Sequence, residues 1–573
     1  MHARERNTGM SSARGLAAAS AVLAMLFGLA AGAAEPPWKY LWFYAPCNFQ
    51  VDKNVDDIVA LMQRARKAGY NGMVTGDHKF GRMHEDRPPN YFVNLGRARQ
   101  AAADLGIDVI PCVMAVGYSN SVLQNDPNLA EGIAVVDCPM RVQGGKATVA
   151  NPANLLAAGG FEEARGDRPA GWDFMDTCVS RDTAVKHSGA ASARIEKFDR
   201  EAHRNGRVVK KLALAPWRQY RLDAWIKTQN LAGGEVKAMV LTPAGRSLTF
   251  TDLGVKPTQD WTEHHILVNT LDATEANVYV GIWGGREGTL WLDDISIREV
   301  AGVNLLRREG CPVKVTGEDS KTVYEEGKDF QEWKYPKMGR VPWPGGYEVV
   351  HPEPPLVLVA GSRIKEGETL KVSFYHTVVI GSDQVSACLR HDEVFRWMRQ
   401  VVRLLKQYLA PKKYFMSHDE LRVAGQCGLC KSDKATAGQV LAQNVKRCTA
   451  VIRQADPEAE IFVWSDMFDP NHNAVDNYYL VGSTLKGSWE GLDPAVRVVA
   501  WYFEMRDKSL PFFAQRGHKM VMAGYYDTDN VKANVAGWRA AAAKVQGVEG
   551  IMYTTWRNNY KDLEEFARLA TAP

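Results

Sequence analysis

Beyond residue 34 the chain lacks any apolar run approaching ~18 residues, so no later segment is expected to cross a membrane. Net charge is scarce as well. Against 70 Lys and Arg stand 66 Asp and Glu, and the resulting +4 is too little over 573 residues to build a face for nucleic acid or an acidic membrane. Cysteine is sparse and poorly spaced for a metal: of nine, only Cys427-Gly-Leu-Cys430 forms a close pair, with no second Cys-x-x-Cys or His pair beside it. No metal ligand set is therefore assembled from spacing. A structural disulfide, a metal and inert thiols stay open as readings of that loop, and the odd count leaves at least one thiol unpaired.

What is present begins with a leader. A basic start (Arg4, Arg6, Arg14), an apolar 16–31 core and the small residues Ala31-Gly32-Ala33 read as a secretory signal over 1–34, which places the mature chain in the periplasm or outside the cell. The remaining length exceeds what one core supports, so several domains are expected.

The chain is organised around Lys413-Tyr-Phe-Met-Ser-His-Asp-Glu420, an apolar strand that ends in three ionisable side chains. Downstream the same grammar recurs in Ile461-Phe-Val-Trp-Ser-Asp466, Val498-Val-Ala-Trp-Tyr-Phe-Glu504, Val521-Met-Ala-Gly-Tyr-Tyr-Asp527 and Ile551-Met-Tyr-Thr-Thr-Trp556, mostly with helical stretches between. Upstream, strands at 40–45, 72–77 and 108–116 alternate with helices at 54–68 and 94–105, the first carrying the stripe Val55, Ile58, Leu61, Met62, Ala65. Eight strands with intervening helices predict an α/β fold, a (β/α)₈ TIM barrel interrupted after strand three by an inserted all-β sandwich. Its parts are expected at 38–150 (strands one to three), 151–301 (sandwich), 302–385 (an irregular β-rich insertion) and 386–573 (strands four to eight).

Short strands punctuated by Gly, Pro and Asn carry the sandwich reading. From Asn154-Leu-Leu through Gly160-Phe-Glu-Glu to Asp293-Asp294 the segment resembles the jelly-roll carbohydrate-binding modules of bacterial glycoside hydrolases. That resemblance implies a structural Ca²⁺ with Glu162 and Asp294 as oxygen donors. A module inserted in one loop is expected to be separable from turnover of a small substrate.

The C-terminal stretch, about 390–573, resembles the family-20 glycoside hydrolases, the β-N-acetylhexosaminidases. The resemblance rests on His418-Asp419-Glu420 ending strand four, with Trp464, Trp501, Tyr525 or Tyr526, and Trp556 at later strand ends. It implies Glu420 as general acid and Asp419 as the carboxylate that orients and stabilises a substrate acetamide. Substrate-binding candidates are His418, Trp464, Asp466, Trp501, Glu504, Tyr526, Asp527 and Trp556, with Asp77 and His78 from strand two. Strand one lacks the Arg that grips the sugar in that family. Without an acetamide on the substrate, Glu504 or Asp527 is expected as nucleophile or base.

The function expected is a secreted glycoside hydrolase acting on oligo- or polysaccharides, N-acetylhexosamine-containing ones among them, with no catalytic cofactor or metal. An exported, non-catalytic carbohydrate-binding protein is the alternative. A lyase or metal-dependent hydrolase built on the Cys427/Cys430 loop is the third reading.

Overall fold

Eight short apolar stretches pair edge to edge and close on themselves. The strands are β1 (Tyr40–Tyr44), β2 (Gly72–Thr75), β3 (Asp108–Val113), β4 (Lys413–Met416), β5 (Glu460–Trp464), β6 (Arg497–Ala500), β7 (Met520–Tyr525) and β8 (Val548–Thr554), in that order around a closed, all-parallel barrel. The computed structural model describes residues 38–572 apart from 85–87, 337, 339–346, 348–352 and 382–383. The leader read at 1–34 lies outside the described residues.

Side chains alternate along each strand, and the inward set, among them Trp42, Val74, Ile110, Phe415, Phe462, Val499, Val521 and Met552, fills the barrel with its own apolar cluster. The outward set packs against helices. On Asp52–Lys67 the buried residues are Val55, Ile58, Leu61, Met62 and Ala65, so one stripe faces the sheet. Helix Ala437–Ala455 starts at a capping box in which Thr436 and Gln439 satisfy each other's backbone N–H.

The expected (β/α)₈ class is corrected by this architecture. The chain is mostly β, with 33% of residues in strands and 25% in helix, and most strand residues lie outside the barrel. Among the described residues no α-helix joins β5 to β6; that connection uses short 3₁₀ turns at Asp466–Phe468 and Ser488–Gly491. After β3 the chain leaves the barrel through the four-residue helix Asn120–Leu123 and a 3₁₀ turn at Pro127–Leu129, and returns to β4 through the helix Asp392–Tyr408.

Three large antiparallel sheets and two small two-stranded sheets account for the rest. Two five-stranded sheets face each other, one containing Gln219–Ala232 and Glu287–Val300, the other Glu235–Leu241 and Glu275–Trp283. Between them lie Leu222, Ile226, Val240, Val278, Leu290 and Leu292. Entry and exit are adjacent, since Leu155 N donates to Ile297 O at 2.8 Å. A six-stranded sheet then crosses the expected boundary at 150: Ile133–Gln143, read as part of the barrel segment, pairs with Thr369–His376 over two hundred residues later. Val423 and Leu480, from loops above β4 and β5, pack into the core of the two facing sheets. No helix of the described residues is long and apolar enough to cross a membrane.

Candidate active site

The alternation that fills the barrel continues past the end of β4. Phe415 points inward and Met416 outward; Ser417 and Asp419 then line a cavity at the C-terminal ends of the strands, while His418 is turned away. Its ring is fully buried, with Nε2 3.1 Å from Asn444 Oδ1, and burial lowers its pKa to about 4. At Glu420 the backbone turns left-handed, φ +47°, which breaks the alternation and brings a second consecutive carboxyl group to the same cavity. The cavity measures about 600 Å³, the size of a small-ligand site.

The two carboxyl groups have different neighbours. Glu420 Oε2 accepts from the Tyr118 hydroxyl at 2.5 Å and pairs with Arg422 Nη2 at 2.8 Å. Arg422 is itself fixed by Gln384 Oε1 at 2.6 Å and lies over the rings of Phe250 and Tyr479. Asp419 lies half-buried on the cavity wall. Burial first, and the Asp466 and Glu420 charges with it, push its carboxyl up to about 8. Asp466 is buried beneath, its Oδ2 accepting from Glu420 N at 2.7 Å and Asn473 Nδ2 at 2.9 Å, its Oδ1 from Trp501 Nε1 at 3.2 Å. Burial raises Asp466 to about 6, against the lowering effect of these donors.

Aromatic rings wall the cavity. Trp501 stacks on Tyr526 at 5.4 Å and 2°, while Trp556 tilts against Tyr44 at 5.0 Å, Tyr526 at 5.8 Å and Trp464 at 6.1 Å. Trp556 is 50% exposed, so an apolar face is offered to a ligand. Its loop is braced by Asp527, which accepts from Thr555 Oγ1 at 2.6 Å and Trp556 N at 2.8 Å. Tyr525, Tyr526 and Asp527 hold φ of +70°, +51° and +55°, a left-handed run that turns the Tyr526 ring into the cavity at a strain of roughly 1–3 kcal/mol per residue.

No protein-family profile matches the chain, and no curated protein matches it. Solved structures similar to parts of it include the CBM22-1 xylan-binding domain of Xyn10C from Paenibacillus barcinonensis, with 14% identity, a TM-score of 0.21, and coverage of 26% of this chain and 96% of that one. The module TmCBM61, solved with β-1,4-galactotriose, is 16% identical with a TM-score of 0.20, covering 25% of this chain and 97% of the other. A rhamnosidase from Novosphingobium sp. PP1Y is similar over 90% of this chain and 55% of its own length, at 9% identity and a TM-score of 0.30. At these values the likenesses transfer no chemistry.

The cavity brings together Asp419, Glu420, Trp464, Trp501, Tyr526 and Trp556, with Asp466 hydrogen-bonded beneath. Besides the buried Asp466, five of the candidates do not line it: His418, Glu504, Asp527, Asp77 and His78. His418 faces the helix behind the strand, Glu504 is exposed on the 3₁₀ turn Phe503–Met505, and Asp527 braces the Trp556 loop. Asp77 and His78 line a smaller cavity of about 360 Å³ that meets the first along Tyr44, Cys112, Tyr118 and Ser417. There Asp77 accepts from Phe49 N and Lys79 N and so closes a turn. Sequence reasoning missed Tyr44, Tyr118 and Arg422; Arg422 alone carried a signal, as a cation two residues after the acidic pair.

In the facing sheets, Glu162 and Asp294 come together around Gly160, where a Cβ would lie 3.5 Å from Glu162 Oε1 and 3.8 Å from Asp294 Oδ1. A Ca²⁺ takes several oxygen donors, of which this pair would supply two, and Asp294 Oδ2 already lies 2.7 Å from His187 Nδ1. Glu162 Oε2 also accepts from Ala190 N, and Asp294 Oδ1 from Ser188 Oγ.

Proposed function

We propose that the protein is a glycoside hydrolase working outside the cytoplasm, with its reaction in the cavity above the barrel. The observation that carries this reading is the entry of both Asp419 and Glu420 into one cavity walled by Trp464, Trp501 and Trp556. A glycosidic leaving group needs a proton as its bond breaks, and the sugar needs negative charge beside its cationic anomeric carbon. Asp419, raised to about 8, keeps its proton at neutral pH and is assigned as general acid. Glu420, ion-paired with Arg422, is assigned as the carboxylate that stabilises the cation or activates water.

This reverses the roles implied by the family-20 resemblance, in which Glu420 gives the proton and an ionised Asp419 holds an acetamide. The surroundings of Asp419 do not suit that second task at neutral pH. A panel of chromogenic glycosides, with and without a 2-acetamido group, tests the assignment: turnover of sugars lacking the acetamide is expected, and strict dependence on the acetamide restores the original roles.

One observation favours the binding-only reading. Glu420 Oε2 is already engaged by Tyr118 and Arg422, as in a pocket built to hold rather than cut. Sugar binding by calorimetry with no turnover across the panel would select it. The Glu162 and Asp294 pair is retained as the proposed Ca²⁺ position in the sandwich.

A further inference from the structure

Four cysteines from three separate segments of the chain meet in one dry place. Cys388 Sγ lies 3.6 Å from Cys427 Sγ and 3.9 Å from Cys430 Sγ, and the Cys427 thiol is also in hydrogen-bonding contact with Cys430 and Cys311. All four are 0–1% exposed, and none is joined in a disulfide. Cys311 belongs to the insertion, Cys388 precedes the helix Asp392–Tyr408, and Cys427 and Cys430 sit in the loop after β4.

The spacing is that of ligands around an ion. With Zn–S bonds of about 2.3 Å, the edge of a sulfur tetrahedron is about 3.8 Å, which falls between the two measured separations. Cys388, Cys427 and Cys430 are packed at that distance, with Cys311 against Cys427, and apart from Glu131 Oε2 at 3.6 Å from Cys430 Sγ they have only weak hydrogen-bonding partners, whereas one thiolate-preferring cation would engage them all.

The surroundings suit a charged cluster. Glu131 Oε1 accepts from Gln426 N at 2.7 Å and Cys427 N at 2.9 Å, and so shapes the Cys-Gly-Leu-Cys turn. Gly428 N donates to Gly310 O at 2.8 Å, tying that turn to the Cys311 segment. The Arg308 guanidinium, fixed by the carbonyls of Asn128 and Ala130, places a positive charge beside Cys311, Cys388 and Cys427.

We propose that Cys311, Cys388, Cys427 and Cys430 hold one Zn²⁺ in a closed, structural tetrahedral site. Binding displaces the four thiol protons to solvent, and Arg308 offsets part of the negative charge of the tetrathiolate. Glu131, whose Oε2 lies 3.6 Å from Cys430 Sγ at the edge of the cluster, is assigned as a positioning residue that orients the loop through its other oxygen. With four buried protein ligands the ion has no open position, so its work is to pin the insertion to the loop that also carries Asp419, Glu420 and Arg422. Spacing alone concealed the site because two of its ligands are isolated cysteines.

Metal analysis of the purified full chain, grown with added zinc, is expected to find about one zinc per chain. Replacement by Co²⁺ is expected to give the intense thiolate-to-cobalt charge-transfer band and the ligand-field bands of a tetrahedral all-sulfur site. Cys388→Ser and Cys430→Ser should abolish that band, and Cys448→Ser, on a buried thiol outside the cluster, should keep it. Cys311→Ser should shift the ligand-field bands to a three-sulfur pattern, while Glu131→Gln should keep the four-sulfur pattern and weaken zinc affinity ~10–100-fold. If the serine variants do not fold, the wild-type cobalt spectrum still decides. Failure to take up zinc or cobalt, with the four sulfurs titrating as free thiols or found in disulfides, would overturn the proposal, as would stoichiometric iron. An unchanged cobalt spectrum in Cys311→Ser would remove the fourth ligand.

Discussion

One peptide bond separates Asp419 from Glu420, yet the first is enclosed by protein and other carboxylates while the second faces a guanidinium. The contrast has consequences in pH. With Asp419 as acid, kcat/KM is expected to fall as pH rises through about 8, and a pH–rate profile checks the position of that limb. Stability follows the same group. Between the ordinary carboxylate pKa of 3.8 and about 8 the folded protein keeps a proton that the unfolded chain has lost, so this contribution is full below 3.8 and declines as pH rises to about 8. Asp419→Asn removes the ionisation. Its Tm relative to wild type should therefore climb from pH 4 to pH 8 and then level, whereas a difference constant with pH would show that Asp419 titrates normally. His418 was assigned to the sugar on adjacency in sequence, but a period of two sends it to the opposite side of the strand from Asp419.

Strand ends and their loops set the cavity's shape. Gly117 approaches so closely that an added Cβ would stand 2.4 Å from the Asp419 carbonyl oxygen. Gly117→Ala should push the end of β4 aside, at a stability cost of ~1–3 kcal/mol read from denaturant unfolding, with loss of turnover. Across the cavity, Asp527→Ala removes both acceptors that brace the Trp556 loop. A rise in KM larger than any fall in kcat is expected, because the loop presents a ring and carries no reacting group. The strands and helices were legible as periodic stripes, such as Val55, Ile58, Leu61, Met62 and Ala65. The left-handed run at 525–527 was not, since Tyr and Asp carry none of glycine's warning of positive φ.

The two facing sheets are not an accessory to the barrel. Phe250, from one of them, lies against the Arg422 guanidinium at 5.4 Å, and Arg246 donates to Tyr479 O and Val481 O at 2.9 Å each. The expected independence of this segment is thus reversed: removing 151–301, or changing Phe250→Ala, should impair turnover of even a small glycoside through Arg422 and Glu420. Retention of full activity on a chromogenic substrate would refute that coupling. At this scale the sequence was least readable. The pairing of Ile133–Gln143 with Thr369–His376 spans most of the insertion, and β5 passes to β6 without a helix, so neither the domain boundary nor the mostly-β balance could be read from local periodicity. The central claim concerns Asp419 and Glu420, and hydrolysis of paired glycosides with good and poor leaving groups tests it most directly. Asp419→Asn should lose ~10²–10⁴ in rate on the poor leaving group and far less on an activated aryl glycoside, whereas Glu420→Gln should lose activity on both. The reverse pattern would contradict the assignment, and full activity in both variants would remove the pair from the chemistry.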